Sequence, residues 1–155
     1  MAYRITGLKR DEFESLFALD DDALAARGAM RVTATADKGF PCRISLQDAK
    51  AGETLLLLNH TSHEVATPFR SSYAIYVRES VCEAASFEDA TPPVFDGRPL
   101  GLRAFDSNGM LRNAALALPG EADARIRALF ADEAIAYIHA HNAAHGCFAA
   151  RVERA

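Results

Sequence analysis

His139, His141, His145 and Cys147 crowd one short stretch near the C-terminus, and His60 and His63 close an apolar run that begins at Leu55. Imidazoles and a thiol gathered in this way are what a metal site or a nucleophilic site needs. His139, His141 and Cys147 could give two nitrogens and a thiolate to one zinc ion, leaving a fourth position open. The strong signatures, paired Cys-x-x-Cys or His-Glu-x-x-His, are absent, so no resident metal is expected and the sequence names no cofactor. Cys147 could instead act as a nucleophile with His141 as base, because opposite residues of a hairpin bring their Cβ atoms to about 5 Å. Against both stands ordinary structure: a free cysteine usually behaves as a small buried hydrophobe, and histidines in a sheet can exchange hydrogen bonds within it.

A second concentration of polar groups lies between Asn59 and Ser72, where His60, His63, Thr67 and Arg70 follow a leucine-rich run. Its length as a loop points to function or mobility. Arg43, Arg70 and Arg151 are candidates to clamp an anionic group, since a guanidinium fork matches planar oxyanions, and His60, His139 and His141 are candidates for proton transfer. The competing arrangement pairs Arg70 with Glu64 or Glu79. No glycine-rich phosphate cradle supports the anion idea independently.

The elements that must position these groups can be read from periodicity. Tyr3 to Thr6 reads as a short strand, and Phe13, Leu16 and Phe17 recur at helical spacing, which predicts a helix of two to three turns. Asp20 can cap a second helix that Asp21 and Asp22 favour electrostatically, with Gly28 at its C-terminal end. Strands are expected near positions 30, 42, 55, 75, 102, 112, 137 and 149, with a further helix over 121 to 131 and irregular chain over 88 to 99. Asn108-Gly109 supplies the positive φ angles of a tight hairpin.

The C-terminal segment is open to two readings. As a helix it would bring His141 and His145 together at i, i+4; as a hairpin it would set Tyr137, His139 and His141 on one face of the first strand and Cys147, Arg151 and Glu153 on one face of the second, so that His139, His141 and Cys147 can share a face. The hairpin also gathers Ile138, Ala140, Phe148, Ala150 and Val152 into one apolar surface with Gly146 in the turn, and it is preferred. His145 then belongs to the turn. The expected fold is α+β: a single domain over residues 1–155, mainly antiparallel β-sheet with two or three helices packed against it, ending in a C-terminal β-hairpin.

Composition narrows the function classes. The chain has 155 residues, half of them hydrophobic, and a net charge of −4, which suits one domain with a real core and argues against a nucleic-acid footprint. No apolar run is long enough to span a bilayer and no signal-peptide core is visible, so no membrane association and a cytoplasmic location are expected. Three cysteines without a Cys-x-x-Cys pair predict reduced thiols.

Pro41-Cys42-Arg43-Ile44-Ser45-Leu46, Pro68-Phe69-Arg70, Ile75-Tyr76-Val77-Arg78-Glu79, His139-Ala140-His141-Asn142-Ala143 and Gly146-Cys147-Phe148 together resemble a bacterial family filed as domain of unknown function 1203. The resemblance covers nearly all of the chain and concentrates in residues 41–79 and 137–151. It implies no reaction, and no residue role comes with it. The leading expectation is a small-molecule-binding protein or enzyme whose His/Arg-lined site takes an anionic ligand. A non-catalytic interaction or homo-oligomerising module with the same residues in a structural network is the alternative, and metal binding through His139, His141 and Cys147 is a third.

Overall fold

The C-terminal segment is a hairpin. In the computed structural model, which describes residues 1–155, β8 (Tyr137–Asn142) pairs antiparallel with β9 (Phe148–Arg154). The pairing sets Ile138 against Val152 and Ala140 against Ala150, so the apolar positions of both strands share one face. A bulge then shifts the register, and His141 faces Phe148 with Ala149 as the extra residue. One inserted residue reverses side-chain parity beyond it. Phe148 therefore leaves the apolar face expected of it and packs its ring against His139 and His141, at 5.1 and 6.0 Å between centroids, while Ala149 joins the core in its place. Cys147 falls opposite Asn142, whose N–H donates to its carbonyl at 2.9 Å, and not opposite His141 as expected.

This hairpin sits at the centre of a six-stranded antiparallel sheet. The flanking strands are β1 (Tyr3–Thr6), β5 (Ser86–Glu88), β6 (Leu100–Phe105) and β7 (Leu111–Ala117), in the order β5-β1-β9-β8-β6-β7. Leu102, Ala104, Ile138, Ala140, Ala150 and Val152 pack on one face beneath Ile126, Leu129 and Phe130 of α3 (Ala122–Phe130). β5 went unforeseen, and the stretch expected to be irregular contains a 3-10 turn, Pro93–Phe95, whose Val94 and Phe95 are buried.

A second, three-stranded sheet is built from β2 (Met30–Thr33), β3 (Thr54–His63) and β4 (Ser71–Arg78). Leu56, Leu58, Ile75 and Val77 pack with Phe13 and Leu24 under two short helices, α1 (Glu14–Phe17) and α2 (Asp21–Ala26). α1 is a single turn preceded by a 3-10 turn, Arg10–Glu12, shorter than its apolar spacing suggested. α2 starts as read: the Asp20 carboxylate accepts from the Ala23 amide at 2.8 Å, and Gly28 follows at φ +70.

Two expectations for this half are corrected. The strand near 42 is absent; Pro41 and Cys42 make only isolated bridges, to Asp48 and Tyr76, because the chain turns back on itself through Leu46 N–H donating to the Cys42 carbonyl. The long loop is also shorter than read. β3 continues through His60, which faces Tyr73, and Thr61, whose hydroxyl lies 2.9 Å from that of Ser72, so only Glu64 to Arg70 is loop. A bulge between Thr61 and His63 turns the His63 ring inward to 2% exposure. No helix is long and apolar enough to cross a membrane.

Candidate functional site

The second face of the six-stranded sheet carries Arg103, Phe105, Tyr137, His139 and His141, and the ends of β3 and β4 lean on it through His63 and Tyr73. His63 lies 4.2 Å from the Phe105 ring and 5.0 Å from that of His139, and the Tyr73 ring lies 5.0 Å from that of His141. Rings fill this layer.

Its hydrogen bonds fix proton positions. His63 Nδ1 is 2.8 Å from the Phe69 carbonyl, which can only accept, so this nitrogen carries the proton and the neutral ring's Nε2 is bare. The Tyr137 hydroxyl donates to that Nε2 at 2.6 Å. Burial holds the Tyr137 phenol above its usual value, in keeping with a donor, and Arg151 lies 3.9 Å above the ring. His141 Nδ1–H donates to the Gly146 carbonyl at 2.9 Å. Burial pushes His139 down to about 2, with the Arg151 charge acting in the same direction, and burial also lowers His141. Both rings are neutral at ordinary pH. His60 stands apart, tilted against Phe13 at 5.5 Å and likewise lowered by burial.

Beside this layer a cavity of about 580 Å³ opens between β4 and the turn that joins β8 to β9. Tyr73, Ala74 and Tyr76 of β4 and Leu57 of β3 form one wall; Pro41, Arg43, Arg98 and Pro99 form another, and the stretch from Asn142 to Cys147 closes it. Arg43 is 3% exposed. Its Nε donates to the Phe148 carbonyl at 2.9 Å, one terminal nitrogen to the Pro41 carbonyl at 2.7 Å, and the other to Cys147 Sγ at 3.2 Å. No carboxylate accompanies it, whereas Arg98 in the same cavity holds Asp48 in a two-point pair at 2.7 and 3.0 Å. Burial holds Arg43 below the usual arginine range, the Cys147 sulfur pulling the other way, yet a guanidinium remains charged at any physiological pH.

The residues singled out from sequence thus divide. His63, His139 and His141 meet in the ring-filled layer. Arg43 and Cys147 meet in the cavity, with His145 at its exposed rim. Cys147 is bonded to Arg43 and, at 3.5 Å, to Asn142 Nδ2, and to no imidazole. Arg70 and Arg151 join neither Arg43 nor each other: Arg70 is exposed with Glu64 at 3.5 Å, and Arg151 pairs with Glu153 at 2.6 Å. No three His, Cys, Asp or Glu side chains are grouped so as to hold a metal ion. Sequence reading missed Arg98, Tyr73, Tyr76 and Asn142. Arg98 finds Asp48 fifty residues away in sequence, which no local pattern signals.

Comparison with known proteins identifies the family and nothing closer. The family described as a protein of unknown function (DUF1203) matches residues 39–154, most of the chain, and the chain belongs to it. Neither the curated proteins nor the solved structures searched contain a match.

Proposed function

We propose that this member of the family binds a small anionic ligand in the cavity beside β4, with Arg43 as the recognition group. One observation carries the reading: a guanidinium at 3% exposure, on the wall of a cavity of about 580 Å³, has no carboxylate partner. Burying a charge is costly unless an opposite charge or a full set of hydrogen bonds offsets it. Three of the five guanidinium N–H groups are engaged by two carbonyls and a sulfur, which leaves one on each terminal nitrogen for an added acceptor. The cavity falls within the few hundred to about 1,000 Å³ that small-molecule sites occupy. Three free cysteines suit a reducing, cytoplasmic setting.

In this reading the histidines are structural. His60, His139 and His141 line no part of the cavity, and two of the three take part in the ring-filled layer, so proton transfer is not assigned to them. Calorimetry against a panel of small carboxylates and phosphates tests the proposal. At least one anion should bind the parent, and Arg43→Lys, which keeps the charge and loses the fork, should weaken it by about ten- to a hundredfold, the value of a charge-assisted bidentate contact. Should no anion bind, or Arg43→Lys bind as well as the parent, the interaction-module alternative replaces it.

A further inference from the structure

Resting on that reading, we propose that the occupant is a monocarboxylate with an apolar body the size of a fused aromatic ring system, held with its carboxylate at Arg43 and its body against the Tyr73 and Tyr76 side of the cavity.

Charge sets the head group. The two guanidinium groups that line the cavity are unequal, because Asp48 neutralises Arg98 through a two-point pair and the remaining Arg98 bond goes to the Val94 carbonyl at 2.8 Å. Arg43 therefore contributes one positive charge that no carboxylate meets. Its two spare N–H groups match the two oxygens of one planar carboxylate, whereas a phosphate dianion would bring a second negative charge with no cation to meet it. His145 stands exposed at the rim.

The walls set the body. Leu57, Tyr73, Ala74, Tyr76, Ala143, Ala144 and Cys147 make half of the fourteen lining residues hydrophobic, and Arg43 and Asn142 meet at the Cys147 sulfur. That is the lining of an amphipathic ligand: apolar sides with a few placed polar groups. An apolar cavity of about 150 Å³ accommodates a benzene, so about 580 Å³ has room for a body larger than one ring. Tyrosine rings also offer the offset and edge contacts that another aromatic system prefers.

The test uses the full chain at about pH 8 with four probes: 2-naphthoate, acetate, inorganic phosphate and the neutral 2-naphthalenemethanol. 2-Naphthoate should bind at least about tenfold tighter than each of the other three, the carboxylate and the body each contributing a separable factor. It should also slow alkylation of Cys147 by iodoacetamide, followed by peptide mass, and leave the exposed Cys82 untouched as an internal reference. Ala74→Trp, which fills the cavity from an exposed strand position and removes no hydrogen bond, should lose 2-naphthoate binding. If phosphate or acetate binds as tightly as 2-naphthoate and Arg43→Lys weakens it, anion binding stands and the monocarboxylate inference falls. If 2-naphthoate binds without protecting Cys147, the inference also falls; if no anion binds at all, both proposals fall together.

Discussion

His139 and Arg43 are buried to nearly the same degree, 1% and 3% exposed, and they lie on adjoining parts of the same inter-sheet region. Around His139 the buried polar groups are rings: His63 hydrogen-bonds to the Tyr137 hydroxyl and, like His141, to a carbonyl, His139 Nε2 accepts from Arg151 at 3.5 Å, and aromatic side chains occupy the space between them. Around Arg43 a full charge is buried next to empty volume, and its protein partners are two carbonyls and a sulfur. A hydrogen-bonded network packed among rings explains itself as structure. A buried cation beside a cavity lacks an opposite charge. Burial alone does not mark a site; burial with an unmet requirement does.

Acid should expose this contrast most strongly. His139 sits at about 2 in the folded chain against 6.5 when unfolded, chiefly because burial disfavours its charged form. The unfolded state therefore takes up a proton that the folded state refuses, and the stability this represents is present above about 6.5 and is lost as pH falls toward the folded value. Between about pH 7.5 and about pH 4.5, His139 alone should cost about 2 to 3 kcal/mol of stability. His60 and His141, also lowered, add in the same direction. Urea unfolding at the two pH values reads the loss, and His139→Phe should be the more stable chain at the acid end. A stability that stays flat across this window would show that the layer tolerates charge, and the contrast with Arg43 would disappear.

A smaller change sharpens the same contrast. Tyr137→Phe removes the hydroxyl that donates to His63 Nε2 at 2.6 Å and leaves that buried nitrogen without a donor. Denaturant unfolding should show a loss of about 1 to 2 kcal/mol, the usual cost of orphaning a buried acceptor, and anion binding at Arg43 should be unchanged. An equal loss of anion affinity would mean that layer and cavity act as one site.

How far this arrangement could be read from the chain depends on whether the determinant is local. The C-terminal hairpin was legible because Ile138, Ala140, Ala150 and Val152 keep a period of two that only extended strands can bury together. The α2 cap was legible for the same reason, since Asp20 and the Ala23 amide lie within one turn. The two bulges were not. Nothing near Ser62 or Ala149 announces an extra residue, yet each bulge decides which way a key ring points: His63 inward, and Phe148 toward the histidines. Candidate site residues were half legible. Arg43 and Cys147 were marked by type, but the grouping of Arg43 with Arg70 and Arg151 came from their chemistry alone: Arg43 meets Cys147 across a long sequence separation, while Arg70 and Arg151 pair locally with Glu64 and Glu153.

Arg70 supplies the weakest effect and the cleanest discrimination. It belongs to the segment that sequence reading favoured as a binding loop, and it has the same guanidinium as Arg43. Its side chain is 55% exposed, its partner Glu64 is 73% exposed, and they approach only to 3.5 Å. An exposed pair of this kind contributes at most about 1 kcal/mol, because water screens the charges and two long side chains must be ordered to meet. Arg70→Ala should therefore change stability by less than about 0.5 kcal/mol and leave the affinity for every anion that Arg43 holds unaltered. Calorimetry with the anion that binds the parent makes the comparison direct. A tenfold loss in Arg70→Ala would bring the loop from Glu64 to Arg70 into the site and move the boundary of the cavity; no loss would leave Arg43, the cation without a carboxylate, as the one that recognises the ligand.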